Sequence, residues 1–405
     1  MGCTSSRFEV FLKKLAFVLG IRPDVIRAAL VINQLRHYED METVFIWSGQ
    51  HYSDNLKNIF FRELNVKPAE INLQCGGETD AEIVAAVITR LYSVLKELRP
   101  EAVIFLGDTN TTAGAIAAAQ LNIPIVHIEG CMRSYDWRMP EEKYRTVIDH
   151  LADVIYTYFA EYKEQGVHEG LNPKNIILVG NPIVDILNYC YFSQKKKYDE
   201  MATTKFFLDR NIERQKYYLM TCHRRENVHI QNSFDAILRL VAQAHYPVYF
   251  PASYRTQKEI AAREIQVPKN VFVVNPIGYE EMLCLLVNSR GAITDSGTIV
   301  EETCVLQLPS LQMRKSTERP QVYDVGSSVK FDPAESEKYP TNDVFSKFES
   351  LYGKHWEHNL GDGNSSKRIA EDLHRRIMDN DFARHKPEFY NVPIERSFRN
   401  DGLAA

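Results

Sequence analysis

The stretch Gly291-Ala292-Ile293-Thr294-Asp295-Ser296-Gly297-Thr298-Ile299-Val300-Glu301-Glu302 decides how the chain is read. A short apolar run, a tight polar turn and a second apolar run ending in two glutamates predict strand, turn and helix. Ser296 and Gly297 then place backbone N–H groups and a hydroxyl at a helix start, where the dipole favours an anion such as phosphate. Helical side chains lean toward the helix N-terminus, so Glu302, about one turn in, reaches the same mouth. A carboxylate there accepts hydrogen bonds from two neighbouring hydroxyls, as on a ribose. Two readings stay open on these residues alone: a nucleotide diphosphate site, and an ordinary N-cap followed by a solvated glutamate pair.

Working outward, short apolar runs recur at 14–19, 42–47, 103–106, 125–128, 154–158 and 176–179, with helical periodicity at 81–98, 113–120 and from Pro140 onward. Pro23 suits the first turn of a helix, which puts Arg22 in the loop at the carboxyl end of the first strand. A charged, aperiodic stretch at 191–215, containing Lys195-Lys196-Lys197, reads as a domain junction with solvated lysines. A second alternating set follows, with strands at 217–221, 248–250, 271–274, 291–294 and 310–311 and helices at 234–244 and 279–287. This alternation predicts an α/β chain of two doubly wound parallel sheets, whose facing strand ends form a ligand cleft.

The composition sets limits on function. At 405 residues the chain is long for one core, and 44% hydrophobic with 25% charged residues is ordinary for a globular protein. A net charge of −5 gives no general pull toward nucleic acid or acidic lipid. The seven cysteines are far apart without CxxC spacing, which argues against a zinc site or disulfide framework and suits a reducing, cytoplasmic setting. No apolar run reaches the roughly 20 residues of a membrane helix. Met1-Gly2-Cys3 fits an acylation template that short sequences match by accident.

Three acidic residues, Asp108, Glu129 and Glu141, fall where first-half strands meet loops or helices. Each has a plain structural explanation as a cap, an ion-pair partner or a helix-start residue. Together they favour a site, because parallel strands bring their carboxyl ends to one edge and crowded carboxylates separate one another's proton affinities. Such a group moves a proton off one face of a substrate and onto another. Opposite lie cations: His223-Arg224-Arg225 after one second-half strand, and Arg314 and Arg319 after another, with Arg22 able to complete a phosphate clamp.

In this order, Gly20-Ile21-Arg22-Pro23, Gly107-Asp108-Thr109-Asn110, Pro140-Glu141-Glu142 with Arg145, His223-Arg224-Arg225-Glu226-Asn227, Asp295-Ser296-Gly297 with Glu301-Glu302, and Thr317-Glu318-Arg319-Pro320 resemble the non-hydrolysing UDP-N-acetylglucosamine 2-epimerase family. The resemblance runs from about residue 14 to about 378. It implies a GT-B fold of two Rossmann-like domains, here 1–190 and 191–363, with a helix at 364–380 crossing back to the first and a tail, 381–405, of unassigned role. The implied reaction loses UDP by elimination across C1–C2 of a UDP-linked 2-acetamido sugar and adds it back with C2 protonated on the other face. It uses no metal and no nicotinamide, and a homodimer is usual. By position, Asp108, Glu129, Glu141 and His223 match catalytic groups. Arg22, Gln50, Arg133, Arg145, Pro276, Tyr279, Ser296, Gly297, Glu302, Arg314 and Arg319 match substrate contacts, with Pro276 and Tyr279 in the loop that holds uracil.

The sequence departs from that pattern in places. Arg27 stands where the family usually has Lys, and Gly130-Cys131 where Ala-Gly is common. Ser253-Tyr254-Arg255 replaces a frequent His-Pro-Arg whose His, in some bacterial members, helps bind a second, activating UDP-sugar. Gln50-His51-Tyr52 and the loop at Asp108 lean toward branches acting on 6-deoxy or diacetamido sugars, so the sugar stays open. The competing expectations are a GT-B glycosyltransferase and a UDP-sugar-binding protein without turnover.

Overall fold

The computed structural model describes residues 12–49 and 54–382, without the side chains of Arg22 and residues 54–58. The first sheet contains β1 (Lys13–Leu19), β2 (Met41–Trp47), β3 (Ile71–Asn72), β4 (Ala102–Leu106), β5 (Ile125–Ile128), β6 (Val154–Thr157) and β7 (Ile176–Leu178), in the order β3-β2-β1-β4-β5-β6-β7. The second contains β8 (Tyr218–Thr221), β9 (Val248–Pro251), β10 (Val271–Val274), β11 (Ala292–Thr294), β12 (Ser310–Met313) and β13 (Ser328–Phe331), in the order β10-β9-β8-β11-β12-β13. Every pairing is parallel. Runs such as Leu15-Ala16-Phe17-Val18-Leu19 are apolar throughout because helices cover both faces of such a sheet.

Those helices in the first half are α1 (Arg22–Leu35), α2 (Asp54–Glu63), α3 (Asp80–Leu98), α4 (Ala115–Gln120), α5 (Pro140–Leu151), α6 (Ala160–His168) and α7 (Pro182–Cys190). Thr79 starts α3 with a capping box, its hydroxyl accepting from Glu82 N while the Glu82 carboxylate accepts from Thr79 N. The second half adds α8 (Lys195–Met201), α9 (Thr204–Leu208), α10 (Arg225–Val228), α11 (Gln231–Ala242), α12 (Tyr254–Ala262), α13 (Tyr279–Val287), α14 (Gly297–Val305), α15 (Gln321–Asp324) and α16 (Thr341–Glu349). The expected aperiodic junction at 191–215 is largely short helix, and Lys197 pairs with Glu280. Helix at 113–120 begins earlier, as a 3-10 turn over Asn110–Gly114. The strands β3 and β13 were not foreseen; Ile71–Asn72 is too short for a period-2 signal.

In both sheets the order reverses beside the first strand: between β1 and β4, and between β8 and β11. Crevices at such reversal points, outside the carboxyl ends of the strands, are where open α/β sheets bind ligands. The last helix, α17 (Ser365–Asp379), leaves the second half and packs on α1 and α7. Leu373 and Ile377 bury into the first core, Ser366 N donates to Asp185 Oδ1 at 2.8 Å, and Tyr156 OH on β6 donates to Asp372 Oδ2 at 2.8 Å.

Leu373 is fully buried, so Leu373→Ala leaves a cavity and lowers stability by about 2–5 kcal/mol. Tyr156→Phe removes one hydrogen bond from an Asp372 still held by Arg375 and Arg376, and costs about 1 kcal/mol. Urea unfolding midpoints of the two variants measure both.

Candidate active site

The turn that opened the sequence reading sits at the second reversal point, directly after β11. Ser296 caps α14, its hydroxyl accepting from Ile299 N, and Gly297 is the first helical residue. A side chain at Gly297 would enter the Arg319 guanidinium, with a Cβ only 2.4 Å from Nη1. Glycine is required there because an arginine lies against the helix start. Asp295, fully buried, organises the loop after β8: its carboxylate accepts from His223 N at 2.9 Å, Arg224 N at 2.9 Å and Asn227 Nδ2 at 3.2 Å. The two strand ends flanking the reversal are thereby locked together, and His223, half exposed, stands over them.

Around this helix start lies a crowded basic group. Arg224 Nε donates to Asp295 O at 2.9 Å, and Arg314, buried just after β12, pairs with Glu318 at 2.7 Å. That contact has poor angular geometry and leaves Arg314 Nη1 without a hydrogen bond. Burial and then repulsion from Arg224 push the Arg314 guanidinium below its usual range. An anion bound between these two arginines relieves both effects. Met139, the N-cap of α5 in the first domain, reaches across with its sulfur 3.9 Å from Arg224 Nη1 and 3.5 Å from Arg314 Nη2.

Deeper along α14, Glu302 is buried with one oxygen accepting from Tyr279 OH at 2.8 Å and the other without a partner. Burial raises its carboxyl to about 8, the Tyr279 hydroxyl opposing and neighbouring Glu301 adding to the shift. Pro276 lies half-buried in the loop between β10 and α13, where Tyr279 N donates to Glu63 Oε2 of the first domain at 2.7 Å.

The first domain supplies carboxylates at its own reversal point. Asp108 follows β4 and pairs with Arg145 of α5. Burial pushes Asp108 upward, but Arg145 and then Arg27 outweigh it, against an opposing push from Glu318, and hold it below the usual carboxylate range. Glu141, in the first turn of α5, is pushed upward by burial and then by Asp108, with Arg224 opposing. One carboxyl is thus held ionised while its neighbour is shifted toward holding a proton. Asp24 on α1, beside Arg27, is raised to about 7 by burial, Arg27 opposing and Asp108 adding.

Several expected contacts are differently engaged. Glu129 accepts from Arg27, from Tyr158 OH at 3.2 Å and from Arg319 Nη2 at 2.9 Å, a saturated bridge between the domains. Arg319 is itself taken up by Glu129, Glu301 and Glu318, so it is an interdomain strut rather than a free phosphate contact. Arg133 donates to Asp149, Glu169 and Met132 O. Arg145 ties Asp108 to Glu142, at 2.9 Å from the latter. Gln50 lies outside the described residues, as do the N-terminal Gly2-Cys3 and residues 383–405; Arg22 is the first residue of α1, with its side chain also outside them. Sequence reasoning missed Asp24, Met139, Arg224 as a pocket residue in its own right, and Glu318. Arg224 and Glu318 stood within quoted motifs, but which member of a charged run turns inward has no local signal.

Two facing doubly wound domains, one with a basic, helix-capped anion pocket and the other with paired carboxylates, define a nucleotide-sugar enzyme of the GT-B class. The chain belongs to the UDP-N-acetylglucosamine 2-epimerase family, whose family model matches residues 33–374. It is 33% identical over 373 residues to a UDP-N-acetylglucosamine 2-epimerase of Methanococcus maripaludis, covering 88% of this chain and 97% of that one. A UDP-2,3-diacetamido-2,3-dideoxy-D-glucuronate 2-epimerase of Pseudomonas aeruginosa is 29% identical, over 89% of this chain and 99% of its own. Among solved structures, the Methanocaldococcus jannaschii UDP-GlcNAc 2-epimerase in complex with UDP-GlcNAc and UDP superposes with a TM-score of 0.80 at 30% identity, covering 89% of this chain and 99% of that one.

With a folded value near 8 against an ordinary 4.5, Glu302 keeps a proton in the folded protein that the unfolded chain releases. Stability from this group therefore falls as pH rises between those values, by up to about 1.4 kcal/mol per pH unit. Glu302→Gln removes that dependence. Thermal midpoints of variant and wild type are expected to diverge in the variant's favour from pH 5 to pH 8.

Proposed function

We propose that this protein interconverts the C2 epimers of a UDP-linked 2-acetamido sugar, UDP-GlcNAc and UDP-ManNAc being the leading pair. The observation that carries the reading is the pairing across the cleft: Asp108 held ionised and Glu141 shifted toward its acid form, opposite the under-bonded Arg314 and its neighbour Arg224. In the elimination, the C2–H bond breaks and its electron pair forms the C1–C2 double bond of a 2-acetamidoglucal. The C1–O bond breaks with its pair going to UDP, and the proton goes to a carboxylate. Re-addition of UDP with protonation at the opposite face of C2 gives the epimer, with no net redox change.

C2–H is only weakly acidic, so its removal must be coupled to departure of UDP. The main electrostatic task is then to stabilise the leaving diphosphate, and Arg314, Arg224, His223, the Ser296 hydroxyl and the N–H group of Gly297 perform it. Glu302 accepts the ribose hydroxyls, and Pro276 and Tyr279 border the uracil. Glu129 acts as the third carboxylate once substrate displaces one of its arginine partners. The six described cysteines are buried and unpaired, which supports a cytoplasmic location, and a homodimer is part of this reading. Among the described residues no helix is long and apolar enough to cross a membrane.

The diacetamido-glucuronate relative gives the second reading, a related UDP-2-acetamido sugar as the true substrate. Incubation in D₂O with UDP-GlcNAc, and separately with the diacetamido-uronate nucleotide, tests both. Deuterium at C2 with formation of the epimer is expected for one of them. Asp108→Asn is expected to lower exchange by about 10²-fold or more while UDP affinity stays within a few-fold. Transfer of sugar only to an added acceptor, or binding without exchange, rejects the reading.

A further inference from the structure

The three elements that carry Asp108, Glu129 and Glu141 meet at one fully buried ring, His127 on β5. Its Nε2 lies 2.8 Å from Gly107 O, the carbonyl directly before Asp108. Its Nδ1 lies 2.7 Å from Asp149 Oδ1, on α5 two turns beyond Glu141. The residue two places after His127 is Glu129.

Hydrogen-bond chemistry fixes the ring's form. A backbone carbonyl only accepts, so Nε2 carries a proton. Asp149 Oδ2 already accepts from Cys131 N at 3.0 Å and Arg133 Nη1 at 2.7 Å, which is the coordination of a carboxylate anion. An anion opposite Nδ1 requires a proton there as well. The buried charges then balance: His127 and Arg133 are positive, Asp149 and Glu169 negative, each in contact with an opposite partner. Burial pushes Asp149 upward, but His127 and Arg133 outweigh it and hold it below the usual range.

The backbone is shaped around this pair. A Cβ at Gly130 would fall 2.2 Å from Ile155 Cγ2, 2.8 Å from Asp149 Oδ1 and 3.2 Å from His127 Nδ1, so the chain passes there only as glycine. On either side, Glu129 and Cys131 hold left-handed φ values of 76° and 64°, conformations that persist where surrounding contacts enforce them.

We propose that His127 is a buried, doubly protonated ring whose two N–H bonds, to Gly107 O and Asp149, set the mutual placement of Asp108, Glu129 and Glu141. His127 and Asp149 are positioning residues: they touch no substrate and act through the three carboxylates. This step rests on the epimerase reading for its kinetic consequence, but the charge state of the ring does not. In Asp149→Asn the carboxamide no longer holds a second proton on the ring, the ion pair is replaced by a neutral hydrogen bond at Nδ1, and the tie of α5 to β4 and β5 is loosened.

Two measurements test it. In ¹⁵N-histidine spectra of the wild-type protein, one solvent-protected ring with both nitrogens protonated is expected to persist at pH 8, since His127 alone is buried among the described histidines. A protected ring that is a neutral single tautomer at that pH overturns the proposal, as does the absence of any protected imidazolium. In the D₂O exchange assay, Asp149→Asn is expected to lower kcat by about 10²-fold with UDP affinity and KM within about threefold, because misplacement rather than binding is affected. A folded variant with unchanged kcat, or one losing UDP affinity in parallel with kcat, contradicts it. If Asp149→Asn does not fold, His127→Gln, which keeps a single donor, carries the same kinetic comparison. A wild type inert in exchange but showing the protected imidazolium rejects the epimerase reading and leaves the charge assignment standing.

Discussion

The rest of the structure depends on one buried carboxylate, that of Glu129, held between Arg27 of the first domain and Arg319 of the second. Arg319 in turn lies against the start of α14 and pairs with Glu301, and Glu301 accepts from Asn181 Nδ2 at the head of α7. This chain of contacts sets the distance between the carboxylate edge of one sheet and the anion pocket of the other. Removing one member of such a buried array leaves an uncompensated charge, which is far costlier than the array's net contribution to stability. Its value therefore lies in geometry, and the left-handed backbone at Glu129 is the local strain that accompanies it.

The basic pocket reads as an anion site that carries its own stand-in. Glu318, fully buried, contacts Arg224, Arg314 and Arg319 at once, and burial of its carboxyl is outweighed by Arg314, then Arg319 and Arg224, which hold it well below the usual range. One carboxylate does not match the donors of three guanidinium groups, and Arg314 is left under-bonded. In the proposed function a diphosphate supplies the missing acceptors. Glu318 offsets part of the cost of burying like charges together, and in the proposed function a bound diphosphate offsets more of it.

The double α/β architecture was legible because parallel strands buried on both faces appear as uninterrupted apolar runs, as at 15–19 and 103–106. The turn at Asp295-Ser296-Gly297 was legible because its chemistry is local: a cap, a glycine and a helix start. What the chain order did not disclose was partnership. Nothing near Glu129 announces Arg319, 190 residues away, and nothing near Arg133 announces that Asp149 and Glu169 consume it. The same applies to Asp24, whose carboxyl is perturbed by a burial that emerges only when α1 packs on β1 and β2. Short elements such as Ile71–Asn72 and the helices within 191–215 carry too few residues to show a period.

The central claim is spatial: the second domain holds departing UDP while the first domain's acids face the carbon beside it. A crystal structure of the protein with UDP bound tests this most directly. The account predicts the diphosphate on the Ser296 hydroxyl, the N–H group of Gly297 and Arg314, the ribose against Glu302, and Asp108 and Glu141 facing the space beyond the β-phosphate. UDP bound away from the start of α14, or Asp108 and Glu141 turned from that space, would contradict it.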